Sequence, residues 1–183
     1  MAELEGPDMK YVALLRGINV GGKNTVAMAA LRELFEAAGY EQIVTYLNTG
    51  NMVFEAVTKP NAAALQKRIA GAFGLDVPVL VLDANSVCRI AEAIPESWHN
   101  DSEQKSDVCY LFPEIDDATI VMKVGCNADV ETGLYVPGAL LWNVERRYYS
   151  RSSLPKVVGT PLYRAMTIRN VNTARKLATL VST

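Results

Sequence analysis

The chain has 183 residues, 50% of them apolar and 21% charged, a length and balance that allow a substantial buried core and exclude an intrinsically disordered chain. Its three cysteines, Cys88, Cys109 and Cys126, are odd in number and widely spaced with no C-x-x-C pair, which argues against a disulfide framework or a zinc site and fits a reducing cytoplasm. The net charge of −2 conceals an asymmetry: from Arg146 onward the chain carries eight basic residues and no Asp or Glu, the kind of imbalance that marks an anion site or a basic surface docked on an acidic one.

In chain order, residues 1–8 are acidic where a secretory signal would be basic, and they precede no apolar stretch of membrane-spanning length. They are predicted to form a short disordered tail, with the fold starting near Met9 and no membrane association. Met9 to Leu15 reads as a buried strand. After a glycine-rich loop, Met28, Leu31, Leu34, Phe35 and Ala38 recur at helical spacing up to Gly39. Gln42 to Leu47 and Asn51 to Ala56 are strand patterns joined by Asn48-Thr49-Gly50, a hairpin turn. A helix carrying Leu65, Ile69, Ala72 and Phe73 follows Pro60, and Val77 to Leu82 is an apolar strand. This order, β-α-β-β-α-β, is the ferredoxin-like plan.

Asp83 can cap a helix through Val87, Ile90 and Ala91 that stops at Pro95. The polar stretch Glu96 to Ser106 then divides the chain into a ferredoxin-like subdomain over 9–95 and a second, strand-rich α+β subdomain over 96–183. Within the latter, strands are predicted at Asp107 to Phe112, Thr119 to Val124, Thr132 to Val136 and Leu140 to Val144, with Pro137-Gly138 turning between the last two. A short helix near Ser153 to Val158 and a basic C-terminal helix after Asn170 complete the reading, the latter burying Ala174, Leu177, Leu180 and Val181. No internal repeat survives residue-by-residue comparison.

The loop Arg16-Gly17-Ile18-Asn19-Val20-Gly21-Gly22-Lys23-Asn24 combines three glycines, two cations and two amides between a strand and a helix. Glycine lets backbone N–H groups approach a ligand, and Arg and Lys add charge, which is how a phosphate is cradled. The spacing is that of a P-loop, but Asn24 stands where a magnesium-binding hydroxyl belongs, and the strand order is not that of a parallel nucleotide-binding sheet. The bland alternative is a glycine turn from strand to helix.

A second cluster is Thr167-Ile168-Arg169-Asn170-Val171-Asn172-Thr173-Ala174-Arg175-Lys176. Either Asn170 or Asn172 can cap the last helix, leaving Arg169 beside the positive end of a helix dipole. An acidic side chain or a bound anion should compensate. The hairpin Tyr46 to Asn51 is rich in amides but explained by turn chemistry. Tyr148 to Lys156 mixes aromatics and cations that could stack a base and hold a phosphate, or simply start a basic helix with two partly buried tyrosines. With His99 as the sole histidine, a His-rich metal site is excluded, and no metal or cofactor is called for. The paired aromatics of an RNA-binding sheet are only weakly matched by Tyr11 and Phe54.

On these segments the chain resembles an uncharacterised, mainly bacterial family catalogued as a domain of unknown function. Its members run L-L-R-G-I-N-V-G-G-x-N, Y-x-x-[ST]-G-N, R-S-x-L and R-N-x-N-T-x-x-K-L, matched here by Leu14 to Asn24, Tyr46 to Asn51, Arg151 to Leu154 and Arg169 to Leu177. The resemblance implies an α+β fold with a ferredoxin-like portion and no established activity. Two departures are Asn48-Thr49, where relatives more often have Gln-Ser, and Val171, where an aromatic is usual.

The combined expectation is an anion-binding cleft. Arg16, Lys23, Arg169 and Lys176 would supply charge, Asn19, Asn24, Asn51, Asn170 and Asn172 would supply amides, and the backbone of Gly17, Gly21 and Gly22 would close over the ligand. That ligand would be a phosphate-bearing small molecule or single-stranded nucleic acid. Tyr46, Lys23 and Asp83 are the nearby proton handlers, but no catalytic set is defined. The competing reading is a structural or interaction protein whose polar motifs hold its two halves together.

Overall fold

A computed structural model describes residues 9–183, so the expected tail over 1–8 lies outside the described residues. The chain divides into two compact units, one running up to Val87 and including Thr179–Thr183, the other Cys88–Ala178. Both are mixed α+β, each built on a four-stranded antiparallel sheet.

The first unit contains β1 (Met9–Leu15), α1 (Met28–Ala37), β2 (Glu41–Tyr46), β3 (Asn51–Ala56), α2 (Ala62–Phe73) and β4 (Val79–Asp83), leading into α3 (Ala84–Glu92). The observed order is therefore β-α-β-β-α-β, as periodicity predicted, in a sheet ordered β2-β3-β1-β4. One face of β1 and β3 presents Tyr11, Ala13, Leu15, Met52 and Phe54 to Leu31 and Phe35 of α1 and to Leu65 and Ile69 of α2. Each fully buried side chain of this size stabilises the unit by roughly 1.5–3 kcal/mol. Phe35 meets Phe54 edge-on, with ring centroids 5.1 Å apart. Asn61 caps α2 by accepting the Ala64 N–H at 3.0 Å.

The second unit contains β5 (Gln104–Leu111), α4 (Ile120–Val124), β6 (Glu131–Val136), β7 (Ala139–Glu145), a 3-10 helix over Arg146–Arg151, the short α5 (Leu154–Val157) and α6 (Pro161–Arg164), and β8 (Met166–Asn170), leading into α7 (Val171–Ser182). One expectation fails here. The segment Thr119 to Val124 is helical, because Asp117 accepts the Thr119 N–H at 2.8 Å and starts a turn in which Ile120 and Val124, four apart, are both buried. A short apolar run reads the same for a strand and a buried helix. Residues 166–170, for which periodicity predicts no element, form the strand β8, paired to β5 from Asp107↔Asn170 to Leu111↔Met166.

The sheet order β6-β7-β5-β8 reproduces that of the first unit, strand for strand. The agreement extends to single bonds. Leu15 N–H donates to Gly50 and Leu111 N–H to Gly138, each at 2.9 Å, while Arg16 N–H donates to Pro78 and Phe112 N–H to Ala165. Tyr11 pairs with Phe54 as Asp107 pairs with Trp142. The chain is thus a repeat of topology and register. Few residues are retained between the halves: β3 reads Asn-Met-Val-Phe-Glu-Ala and β7 reads Ala-Leu-Leu-Trp-Asn-Val, so only the apolar pattern survives.

Candidate functional site: the glycine hairpin

The connection from β1 to α1, residues 16–27, does not wrap around a helix N-terminus. It folds as a small hairpin of its own, with an antiparallel bridge between Val20 and Lys23 and hydrogen bonds from Lys23 N–H to Val20 and from Asn19 N–H to Asn24, both 3.1 Å. Gly21 and Gly22 sit at φ +58° and +74°, as a primed hairpin turn requires of its two central residues. Val20, Gly21, Gly22, Lys23 and Asn24 are all exposed, whereas Ile18 is buried and anchors the root.

The amides are not aimed outward. The Asn19 side chain accepts the Val26 N–H at 2.8 Å and donates to the carbonyls of Val26 at 2.9 Å and Asn48 at 2.8 Å. Asn24 donates to the Gly17 carbonyl at 3.0 Å. Both asparagines take positive φ, 54° and 50°, a conformation that short polar side chains tolerate. Each holds the base of the hairpin closed while its tip stays open. The Asn19–Asn48 bond also joins the glycine hairpin to the turn between β2 and β3, so two of the predicted motifs meet within the first unit. Asn51 is fully buried and closes that turn, donating to the Tyr46 carbonyl at 2.8 Å and to Thr49 Oγ1 at 2.9 Å. Positive φ falls at Leu47 and Gly50 rather than at Asn48. Asp83 accepts the Ser86 N–H at 2.7 Å as the cap of α3. It lies four residues along β4 from Val79, the partner of Leu15, which removes it from the root of the hairpin by about 13 Å.

The predicted C-terminal residues belong to the second unit. Of the two asparagines offered as caps, Asn170 caps α7 by accepting the Thr173 N–H at 2.9 Å, and Asn172 donates to the Asn100 carbonyl at 3.3 Å. Lys176 is exposed. Arg169 is only 9% exposed, and its guanidinium donates to Thr167 Oγ1 at 3.0 Å and to the Ile168 carbonyl at 2.8 Å. Those two acceptors are neutral, and burial pulls its pKa down to about 10. Nearby Tyr110 is pushed the other way, its hydroxyl raised well above the usual phenol range by burial, with the Arg169 charge opposing that shift. Arg175 donates to the Trp98 and Pro95 carbonyls. This motif therefore braces its own unit. Arg169→Ala is expected to lower the melting temperature by about 4–8 °C, the equivalent of roughly 2 kcal/mol, as differential scanning calorimetry would register.

A polar centre that sequence reading passed over is Glu131, at the start of β6 and 6% exposed. Its carboxylate accepts Trp142 Nε1–H at 2.6 Å, Asn127 N–H at 2.6 Å and Ser153 N–H at 3.0 Å. A lone Glu in a strand-like run carries no sequence signal for this role. Among the described residues, no group of three His, Cys, Asp or Glu side chains is placed to hold a metal ion, and no helix is long and apolar enough to cross a membrane.

Two linked four-stranded α+β units of the same topology, the first bearing an exposed glycine hairpin, define the class of protein. Residues 9–142 match the family model described as protein of unknown function DUF1697, and the chain belongs to that family. The matched stretch contains the glycine hairpin and the β2–β3 turn, and ends before the Arg151 and Arg169 segments. Among solved structures the chain is similar to a conserved bacterial protein, SP0830 from Streptococcus pneumoniae, with 27% identity and a TM-score of 0.76 over 95% of this chain and 99% of that one. No curated protein sequence matches the chain.

Proposed function

We propose that the protein binds a phosphate-bearing ligand, such as a nucleotide or a nucleic-acid end, through the glycine hairpin of the first unit. The observation that carries this reading is the comparison between the two units. The β5–α4 connection, residues 112–119, makes the same structural link as the β1–α1 connection, residues 16–27, and needs no glycine hairpin to do so. It is acidic instead, with Glu114, Asp116 and Asp117, and the exposed Asp116 accepts the Gly138 N–H at 2.8 Å. The hairpin is thus surplus to the demands of the topology. Its base is clamped by Asn19 and Asn24, which preorganises an exposed glycine tip beside Lys23, with Arg16 at its root. Backbone N–H groups and a cation displayed together recognise phosphate oxygens. With no acid/base pair beside the tip among the described residues, any chemistry they perform there would rest on electrostatic positioning.

A thermal-shift screen against phosphate, sulfate, nucleotides and short oligonucleotides tests this. A phosphate-bearing ligand at a hundredfold excess over its dissociation constant stabilises by about 2.7 kcal/mol, a rise of roughly 5–10 °C. Lys23→Ala should abolish that rise while leaving the ligand-free melting temperature within about 2 °C of wild type, since Lys23 is exposed. A flat response to every ligand would sink the proposal. For the Arg169–Lys176 segment, the bonds of Asn170, Asn172 and Arg175 to backbone groups of the same unit favour a structural role over direct ligand contact.

A further inference from the structure

The second unit carries a basic and aromatic surface of its own, separate from the glycine hairpin. The 3-10 helix after β7 reads Arg146-Arg147-Tyr148-Tyr149-Ser150-Arg151, and its side chains are ordered by one another. Arg147 lies over the Tyr148 ring with its guanidinium carbon 4.7 Å from the centroid, and Arg151 approaches the same ring at 5.5 Å. Arg147 is further fixed by Glu145 at 2.7 Å, yet its side chain remains 68% exposed. Tyr149 is 39% exposed. Its ring is supported edge-on by the buried Trp142 at 6.2 Å, and Lys105 Nζ stands 5.7 Å from its centroid. Lys156 is exposed and donates to the Arg151 carbonyl at 3.4 Å, which places a further cation beside the strip. The acids that face these groups are Glu145 on Arg147, with Glu103 acting on the same guanidinium, and Asp107 on Lys105 at 2.8 Å, so the four cations of the strip still outnumber them.

We propose that this strip, Lys105, Arg147, Tyr149, Arg151 and Lys156, is a binding surface for single-stranded nucleic acid. A guanidinium stacked on Tyr148 has one face against the ring and the other turned outward, and a planar cation so presented stacks on a nucleobase. Tyr149 offers a second flat surface, held in place by Trp142, and base stacking on such rings tolerates any sequence. Arg151 and Lys156 then take the phosphates between stacked bases. Interleaved aromatic and cationic groups distinguish this surface from a merely basic one, and single strands are the nucleic acids that expose base faces. The overall charge of −2 confines attraction to the strip and predicts modest affinity that falls steeply with salt.

Fluorescence anisotropy with a labelled twelve-residue oligothymidylate and its oligouridylate counterpart tests the proposal on the full chain. Binding is expected at 50 mM salt, with the logarithm of affinity falling against that of salt with a slope of about −2, the value for three phosphates on a single strand. Arg147→Ala with Arg151→Ala should weaken binding about tenfold or more and reduce the slope. Tyr149→Leu, which still covers Trp142, should weaken it about fivefold or more, and Tyr149→Phe should restore it. Inorganic phosphate at a concentration that saturates the glycine hairpin should not displace the oligonucleotide at matched ionic strength, which separates this surface from the hairpin. Absence of oligonucleotide binding, equal binding by the arginine or leucine variants, or equally effective competition by an oligoglutamate of matched charge would each overturn the proposal.

Discussion

Replacing Gly50 by alanine is expected to destabilise the first unit by about 3–4 kcal/mol, more than the same change at Gly17, Gly21, Gly22, Gly39 or Gly74, where a Cβ meets nothing within 4 Å. The residue stands at φ +75°, and a Cβ built there would lie 2.7 Å from Leu15 Cβ and 2.9 Å from Ile18 Cδ1. The left-handed conformation costs an L-residue roughly 1–2 kcal/mol, and forcing a methyl into a filled core adds about 1–3 kcal/mol. Leu15 cannot yield, because the obstructing atom is its Cβ, fixed to a strand whose N–H bonds the Gly50 carbonyl. Ile18 can move, but it anchors the glycine hairpin. Gly17→Ala is the matched control: it has similar φ, +74°, and open space around it, so it should show the conformational cost alone. Urea denaturation of the two variants side by side makes the comparison. If they lose the same stability, contact with Leu15 and Ile18 contributes nothing and the packing argument is wrong. A phosphate response weakened in Gly50→Ala at temperatures where the unit remains folded would tie the hairpin's posture to Ile18.

The second large effect belongs to Glu131. Truncation to alanine leaves the Trp142 indole N–H and the Asn127 and Ser153 amides without their acceptor, since all three donate to that carboxylate, and the Trp142 and Ser153 bonds are buried. A buried donor left unsatisfied costs about 1–3 kcal/mol. Partial relaxation and water entry reduce the sum, and a loss of about 3–5 kcal/mol is expected from chemical denaturation followed by tryptophan fluorescence. Glu131→Gln keeps the shape but turns one acceptor into a donor opposite another donor, and should cost about 2 kcal/mol. By contrast Glu145→Ala, which removes a carboxylate exposed to solvent on Arg147, should change stability by less than about 0.5 kcal/mol. Near-UV circular dichroism provides an independent check, because Trp142 is fully buried and loses its fixed environment only if Glu131 orients it. An unchanged spectrum in Glu131→Ala would refute that orienting role.

The repeat explains why these two residues matter differently. Gly50 and Gly138 accept equivalent bonds from Leu15 and Leu111, but the first unit turns through residues 47–50 and the second through 137–138. The longer turn brings Asn48 to Asn19 and so supports the glycine hairpin. In the second unit the corresponding space is closed by Asp116, which takes both Gly138 N–H and the Tyr135 hydroxyl. One topology therefore carries an open loop in one copy and a closed one in the other.

Much of this architecture was legible in the sequence. Apolar spacing in Met9 to Leu82 was sufficient for the β-α-β-β-α-β order, because strand and helix periods differ and each segment is long enough to show its own. The β6–β7 hairpin was equally legible from Pro137-Gly138 between two alternating runs, and the cap of α7 was narrowed to Asn170 or Asn172, between which only the bond to Thr173 N–H decides. The glycine hairpin could be singled out by composition alone. What composition could not reveal is direction: whether Asn19 and Asn24 point to a ligand or to their own backbone depends on where Val26, Gly17 and Asn48 lie, and folding alone sets that. The short apolar run at 120–124 and the polar strand β8 escaped for a related reason. Five residues are too few to establish a period, and a strand with Thr167 and Arg169 turned inward shows no apolar alternation. Burial of Arg169 on the strand paired to β5, and the Trp142 and Ser153 donors that reach Glu131 from 11 and 22 residues away, are set by tertiary structure; only Asn127, four residues from Glu131, is local. The repeat itself was invisible residue by residue, since hydrogen-bond register is a property of the backbone and leaves side chains free to diverge wherever an apolar group still faces the core.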